Sequence, residues 1–283
     1  MIYSPLRYPG GKAKLFPFFS QLISRNGIRG VEYFEPYAGG AGLAIRLLTN
    51  GLVSRVHLND LDVAIYAFWK SIIETPAQFC DLIIKTPVTV AEWHAQKDIF
   101  SRGDGSSALS LGFSAYFLNR TNRSGIIEGA GPIGGYDQSG AWKIDARLVK
   151  QTQIDNIMKL SKFSKQIVLY NLDAIKFIRE NILGINEIMY LDPPYFMKGK
   201  KLYKNYYNIE DHKLIANEMI KHRHRNWVVS YDDVAQIRQA YESFRPLNYN
   251  LNYSAGPKSV GTEIMFLSDA MIPPELAGFK FAA

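Results

Sequence analysis

The chain is short of cysteine: Cys80 is the single one in 283 residues, so no disulfide framework and no cysteine-based zinc site can be built. Histidine offers no substitute, because His222-Arg223-His224-Arg225 lacks three ligands at a workable spacing, and no metal is expected. Its cations instead suit the last turn of a helix. No apolar run approaches the about 18 residues that a bilayer span needs. Met1-Ile2-Tyr3-Ser4-Pro5 has neither the basic stretch nor the apolar core of a secretion signal. Repeats and low-complexity tracts are absent. These absences agree with a soluble enzyme of the reducing cytoplasm, with one large core or one core plus a small inserted domain. Acidic residues are also in deficit, 26 against 33 Lys and Arg, giving a net charge of +7. That excess suits a polyanionic partner, although many basic proteins bind no nucleic acid.

What is present is concentrated in Asp192-Pro193-Pro194-Tyr195. It follows the apolar run Ile188-Met189-Tyr190-Leu191, which reads as a buried strand, and ligands of open α/β sheets bind at strand carboxyl ends. The prolines fix φ at about −65° and remove two backbone donors. The Pro193 carbonyl and the Asp192 carboxylate are then two acceptors beside an aromatic platform, Tyr195. That set suits a planar amine such as the amino group of a nucleobase, whose lone pair is delocalised into the ring. Acceptors on its N–H groups act most strongly as positive charge develops on nitrogen. Stacking on Tyr195 would add roughly 1–3 kcal/mol per base. The same four residues would also make an ordinary aspartate cap and proline turn.

The rest of the chain alternates strand and helix. Strands are expected at Val31–Pro36, Val53–Leu58, Ile167–Tyr170, Ile188–Leu191 and Trp227–Ser230. Helices are expected over Leu43–Leu48 and Ile65–Ile73, with helical pieces near Ala91–Ile99 and Ser110–Leu118 and a polar helix around Arg147–Lys162. The pattern predicts an α/β fold, a doubly wound and mostly parallel sheet, interrupted once by a helical, loop-rich insert. Residues 1–74 and 166–283 would form the sheet domain and residues 75–165 the insert.

Two further segments fit a nucleotide ligand. Gly39-Gly40-Ala41-Gly42 makes a turn after a strand, and Asp60 lies about 20 positions beyond, placed to accept ribose hydroxyls. Asp62 is the weaker ribose candidate. The spacing is not GxGxxG, which argues against a dinucleotide. Near the start, Arg7-Tyr8-Pro9-Gly10-Gly11-Lys12 sets a ring and a cation around a tight turn; Lys12 would meet a carboxylate and Tyr8 a ring. In the insert, Asn119-Arg120-Thr121-Asn122-Arg123 offers donors for phosphates and base edges, and Gly129–Gly135 reads as a flexible loop. Past the proline motif, Lys198, Lys200, Lys201 and Lys204 alternate with Tyr203, Tyr206 and Tyr207, a composition suited to a displaced strand.

Together these motifs resemble the Dam-like, D12 class DNA adenine N6-methyltransferases. The resemblance rests on Tyr8–Lys12, Phe34–Gly42, Asn59-Asp60, Leu118–Thr121 with Ser124-Gly125, Asn171–Ala174, Asp192–Tyr195 and Val229–Asp232, and so spans nearly the whole chain. It implies a Rossmann-like methyltransferase sheet with an inserted target-recognition domain, and S-adenosylmethionine as cofactor. The implied cofactor residues are Tyr8, Lys12, Phe34, Glu35, Pro36, Gly39, Gly40, Gly42, Asp60, Asp173 and Asp192. Catalysis falls to Asp192, Pro193, Pro194 and Tyr195. The implied DNA contacts are Asn119, Arg120, Thr121, Arg123, Ser124, Lys198, Lys200 and Lys201. The family often carries Trp at the position of Tyr8 and a bulkier residue within Gly39-Gly40. The implied partner is double-stranded DNA, whose target adenine must be flipped out of the stack to be reached. Whether a restriction endonuclease acts separately beside it stays open.

Other readings share these residues. The same motif would methylate the amino group of cytosine, an RNA adenine or a protein glutamine, and a DNA-binding module without catalysis is a third possibility. Methylation at carbon 5 of cytosine is disfavoured, since it needs a nucleophilic thiolate and Phe79-Cys80-Asp81-Leu82 reads as an apolar helix face.

Overall fold

The computed structural model describes residues 2–7, 11–103, 107–181, 184–196, 207–252 and 260–281. Eight strands form one sheet: β1 (Glu32–Glu35), β2 (Arg55–Asn59), β3 (Ile167–Tyr170), β4 (Glu187–Leu191), β5 (Trp227–Asp232), β6 (Leu247–Asn252), β7 (Val260–Leu267) and β8 (Phe279–Phe281). Their order in space is β3-β2-β1-β4-β5-β7-β6-β8. The chain winds outward from β1 through β2 to β3, then returns to lay β4 and β5 on the opposite side of β1, all in parallel. Winding therefore reverses between β1 and β4, which opens a crevice at their carboxyl ends. Both glycine turn and proline motif begin there.

Five strands are parallel, as the alternation predicts; β7, β6 and β8 extend the sheet with antiparallel pairs. Those three were not foreseen. Leu247-Asn248-Tyr249-Asn250 has the apolar–polar alternation of a half-buried strand, but asparagine is depleted in strands and masks it.

Side chains alternate between the sheet's two faces, and each face has its own core. Tyr33, Ile188, Tyr190, Val228 and Met265 point to one side. Phe34, Met189, Leu191, Val229, Tyr231 and Phe266 point to the other. The first face is covered by α1 (Phe16–Arg25), α2 (Gly42–Thr49) and α3 (Val63–Glu74), whose Phe19, Leu22, Leu43, Leu47, Phe68 and Trp69 repeat at helical spacing.

Among the described residues, four α-helices follow between α3 and β3: α4 (Pro76–Lys85), α5 (Val90–Arg102), α6 (Ala108–Thr121) and α7 (Lys150–Leu160). Their Phe79, Trp93, Phe113, Tyr116 and Ile157 join the same apolar cluster as α1–α3. Cys80 is buried on α4 and its thiol is pushed up by burial, away from the thiolate. The second sheet face is covered by α8 (Ala174–Glu180), α9 (Ile209–Lys221) and α10 (Ala235–Ala240). His222 caps the C-terminus of α9, the place its cations suggested.

One glycine sets the spacing of α6 on α3. A Cβ at Gly112 would lie 2.5 Å from the Ala67 carbonyl oxygen and 2.7 Å from the Phe68 Cα, backbone atoms that no rotamer change can move. Alanine would gain about 1 kcal/mol in helix propensity, yet forcing the helices apart costs more. We expect Gly112→Ala to destabilise the protein by roughly 2–3 kcal/mol. A melting temperature at or above wild type would show that α3 and α6 separate freely.

Candidate active site

The crevice is held open by short polar staples rather than by apolar packing. Asn59, at the end of β2, donates to the carbonyls of Pro36 (2.9 Å) and Leu172 (3.0 Å) and accepts from the Leu172 N–H (2.9 Å). One side chain thereby ties together the loops that follow β1 and β3. Asp60 accepts from the Gly39 N–H at 2.7 Å and the Asp62 N–H at 2.9 Å, and Trp69 donates to the Gly39 carbonyl at 2.9 Å. Gly39 has φ of +45°, a left-handed conformation that glycine adopts without steric cost. The turn then delivers Gly42 to the start of α2, where a Cβ would press on Ala13 at 3.3 Å.

Between these loops lies a cavity of about 430 Å³. It collects most of the nominated cofactor and catalytic residues: Lys12, Glu35, Pro36, Gly39, Gly40, Gly42, Asp60, Asp192 and Pro194 all line it. Three of them are carboxylates in one partly dry space. Burial raises Glu35 to about 8, against a Tyr33 hydroxyl bond at 3.0 Å that lowers it. It raises Asp60 to about 7, against the two backbone N–H bonds. Asp192 rises to about 6, burial again leading, while Lys12 lowers it and Glu263 raises it. Glu35 Oε2 is buried without a hydrogen-bond partner. A cavity walled by under-satisfied carboxylates favours a ligand that brings positive charge and N–H or O–H donors.

Asp192 is fixed from two sides. Its Oδ1 lies 3.2 Å from Lys12 Nζ and accepts a 2.9 Å bond from the Ser230 hydroxyl, which is itself 2.7 Å from the Tyr190 hydroxyl. Of the Asp192 side chain 23% remains exposed, so the carboxylate still faces the cavity. Asp232 accepts the Phe196 N–H at 3.0 Å and pins the backbone just after Tyr195. The Val229–Asp232 segment therefore works as a support for the proline motif.

Lys12 meets carboxylates, as its motif suggests, but they are the chain's own: Asp192, and Glu263 at 3.4 Å. Glu263 was not foreseen. It is 1% exposed on β7 and accepts from the hydroxyls of Tyr195 and Tyr249. Its only sequence signal is a lone acid abutting the apolar run Ile264–Leu267, where an unpaired charge would be costly.

Several nominated residues lie elsewhere. Phe34 points to the opposite sheet face and stacks on His57 with ring centres 4.1 Å apart, because strand alternation turns it away from Glu35; it does not line the cavity. Asp173 caps α8 through the Ile175 and Lys176 N–H groups, and its neighbour Ala174 reaches the cavity instead. Pro193 is buried, and Tyr195 is 6% exposed with its hydroxyl turned to Lys12 and Glu263. Asp62 caps α3.

At the end of α6, Asn119 is fully buried; it accepts the Arg7 N–H at 2.7 Å and donates to the Arg7 and Gly125 carbonyls. Thr121 is also fully buried, its hydroxyl bonded to the Phe117 carbonyl. Both side chains are spent on bonds inside the protein. Arg120 is partly buried beside Arg7 and Arg147, and desolvation lowers it to about 10. Arg123 and Ser124 are exposed. Tyr8, Lys198, Lys200 and Lys201 lie outside the described residues. Among the described residues, no three His, Cys, Asp or Glu side chains group as metal ligands and no helix is long and apolar enough to cross a membrane.

Comparison with known proteins identifies a family. The family model described as D12 class N6 adenine-specific DNA methyltransferase matches residues 8–254. No curated protein matches the chain significantly. Among solved structures, an rRNA methyltransferase, aviRa, from Streptomyces viridochromogenes is similar with a TM-score of 0.39 and 10% identity, over 93% of this chain and 87% of that one. A protein from Legionella pneumophila is similar with a TM-score of 0.36 and 12% identity, over 94% and 87%.

Proposed function

The chain belongs to the D12 class N6 adenine-specific DNA methyltransferase family, and we propose that it methylates the N6 amino group of an adenine flipped out of double-stranded DNA, with S-adenosylmethionine as donor. One observation carries the reading: Asp192 stands at the wall of the crevice with its carboxylate clamped by Lys12 and Ser230 and still partly exposed.

The residues present fit the cofactor. Glu35, with its orphaned Oε2, and Asp60 supply acceptors in a space that burial has made hungry for positive charge, and the glycine turn lets backbone approach a ligand closely. When bound, S-adenosylmethionine supplies an electrophilic methyl group on a positively charged sulfur. The chain's own part is to prepare the amine. Asp192 accepts one N–H and the Pro193 carbonyl the other, which localises the nitrogen lone pair. As the N–C bond forms and the methyl–sulfur bond breaks, its electron pair going to sulfur as a neutral thioether, positive charge grows on nitrogen and the Asp192 bond strengthens with it. The N–H proton then leaves toward Asp192, whose raised affinity suits a proton acceptor near neutral pH. For DNA contact the reading looks to Arg123 and Ser124, which are exposed, and to the partly buried Arg120.

The test offers methyl-labelled S-adenosylmethionine with duplex DNA, RNA and protein separately. Label in adenine of DNA is the expected result. Label in cytosine, RNA or glutamine reassigns the substrate, and binding of DNA without cofactor binding by calorimetry leaves only a binding module.

A further inference from the structure

We propose that Glu263 is a positioning residue for methyl transfer: from the antiparallel half of the sheet it grips Lys12 and the Tyr195 hydroxyl, and through them sets the place of the reacting carboxylate. The inference rests on the reading of Asp192 given above.

Three donors converge on this one side chain. Tyr195 and Lys12 meet Oε1, and Tyr249 meets Oε2. Lys12 lies 3.2 Å from Asp192 and 3.4 Å from Glu263, with only 4% of its side chain exposed. Two carboxylates thus share one ammonium, and the group as a whole keeps a surplus negative charge. That surplus is useful where an amine nitrogen is turning positive. If Lys12 were paired with Asp192 alone, its charge would be spent entirely on the acceptor that the amine must use.

Register explains why the grip is firm. Glu263 on β7 stands opposite Asp232 on β5 and Tyr249 on β6. Asp232 holds the Phe196 N–H while Glu263 holds the Tyr195 hydroxyl. Two successive residues of the loop after β4 are therefore fastened, one by backbone and one by side chain, to two adjacent antiparallel strands. A structural salt bridge at a strand end would have no reason to choose these partners.

The charge of Glu263 also raises the proton affinity of Asp192. Neutralising it removes that repulsion and frees Lys12 for Asp192, and both changes lower the Asp192 pKa.

Glu263→Gln keeps size and hydrogen-bonding shape, and Tyr249→Phe removes one donor without opening a cavity. In Glu263→Gln, we expect kcat to fall about tenfold or more with KM for DNA and cofactor changed less than about threefold. The acid limb of its pH–rate profile should move to lower pH. Tyr249→Phe should lose a smaller share of kcat. A readout without substrate is the carboxyl carbon resonance of Asp192 in protein labelled with carbon-13 aspartate, identified by its loss in Asp192→Asn. Its midpoint should fall in Glu263→Gln. An unmoved midpoint, or kcat within twofold of wild type, overturns the proposal. A wild type silent on DNA, with the midpoint shift present, overturns the substrate reading and leaves the hold of Glu263 on Lys12 and Asp192 supported.

Discussion

Asp192→Ala is expected to cut methyl transfer by roughly 10³-fold or more, the cost of removing a preorganised group aimed at developing charge, while the protein still folds. The stability half of this expectation follows from the sign of the Asp192 shift. Its affinity for a proton is raised in the folded chain, to about 6 from an ordinary value of 3.8. A group raised in this way contributes stability that is present below its unfolded pKa and lost as pH rises through the folded one. At neutral pH the ionised Asp192 is therefore a burden on the fold, relieved in part by Lys12 and Ser230. Alanine removes that burden, and Lys12 keeps Glu263 as a partner. Activity and stability should separate cleanly in this variant. Transfer above a tenth of wild type, with unchanged melting behaviour, would show that Asp192 does not hold the amine.

The separation between what could be read from the chain and what could not follows the range of the interactions. Each parallel strand is a short segment of four to six residues centred on apolar or aromatic side chains, and the loops after β1 and β4 carry their turn residues in sequence. Lys12, Glu35, Asp60 and Asp192 were accordingly legible as neighbours. Phe34 belongs to the same motif as Glu35, but strand alternation sends adjacent side chains to opposite faces. Asn119 and Thr121 turn inward for a reason that composition does not show. A polar residue in a loop-rich insert suggests a surface, yet buried loop carbonyls such as those of Arg7 and Gly125 must find donors, and Asn119 is spent on them. Glu263 was the hardest case. The antiparallel register of β6 and β7 sets Tyr249 opposite it, while its other partners, Lys12 and Tyr195, come from distant stretches of the chain that give no local signal.

That shared ammonium makes Lys12→Met the second large effect, and one with a distinctive dependence on pH. Lys12 is the attraction that holds Asp192 down against burial and against Glu263. Without it, an opposite charge within about 4–6 Å is lost, a change worth about 1–3 pK units on a carboxylate. Asp192 would then move from about 6 into or beyond the neutral range, and at pH 7 most molecules would hold a neutral carboxyl, a weaker acceptor that cannot take up the amine's proton. We expect transfer at pH 7 to fall by roughly 10- to 100-fold, and to recover in part as pH is raised toward 9. The stability of the variant should run the other way, since carboxylates with raised folded pKa values lose their contribution as pH climbs through those values. A rate profile from pH 5 to 9 beside melting curves over the same range tests both slopes. An acid limb at the wild-type position would mean that Lys12 does not govern the charge of Asp192. A limb displaced upward in Lys12→Met and downward in Glu263→Gln would place cation, reacting carboxylate and buried acid in one electrostatic unit, with opposite signs at its two ends.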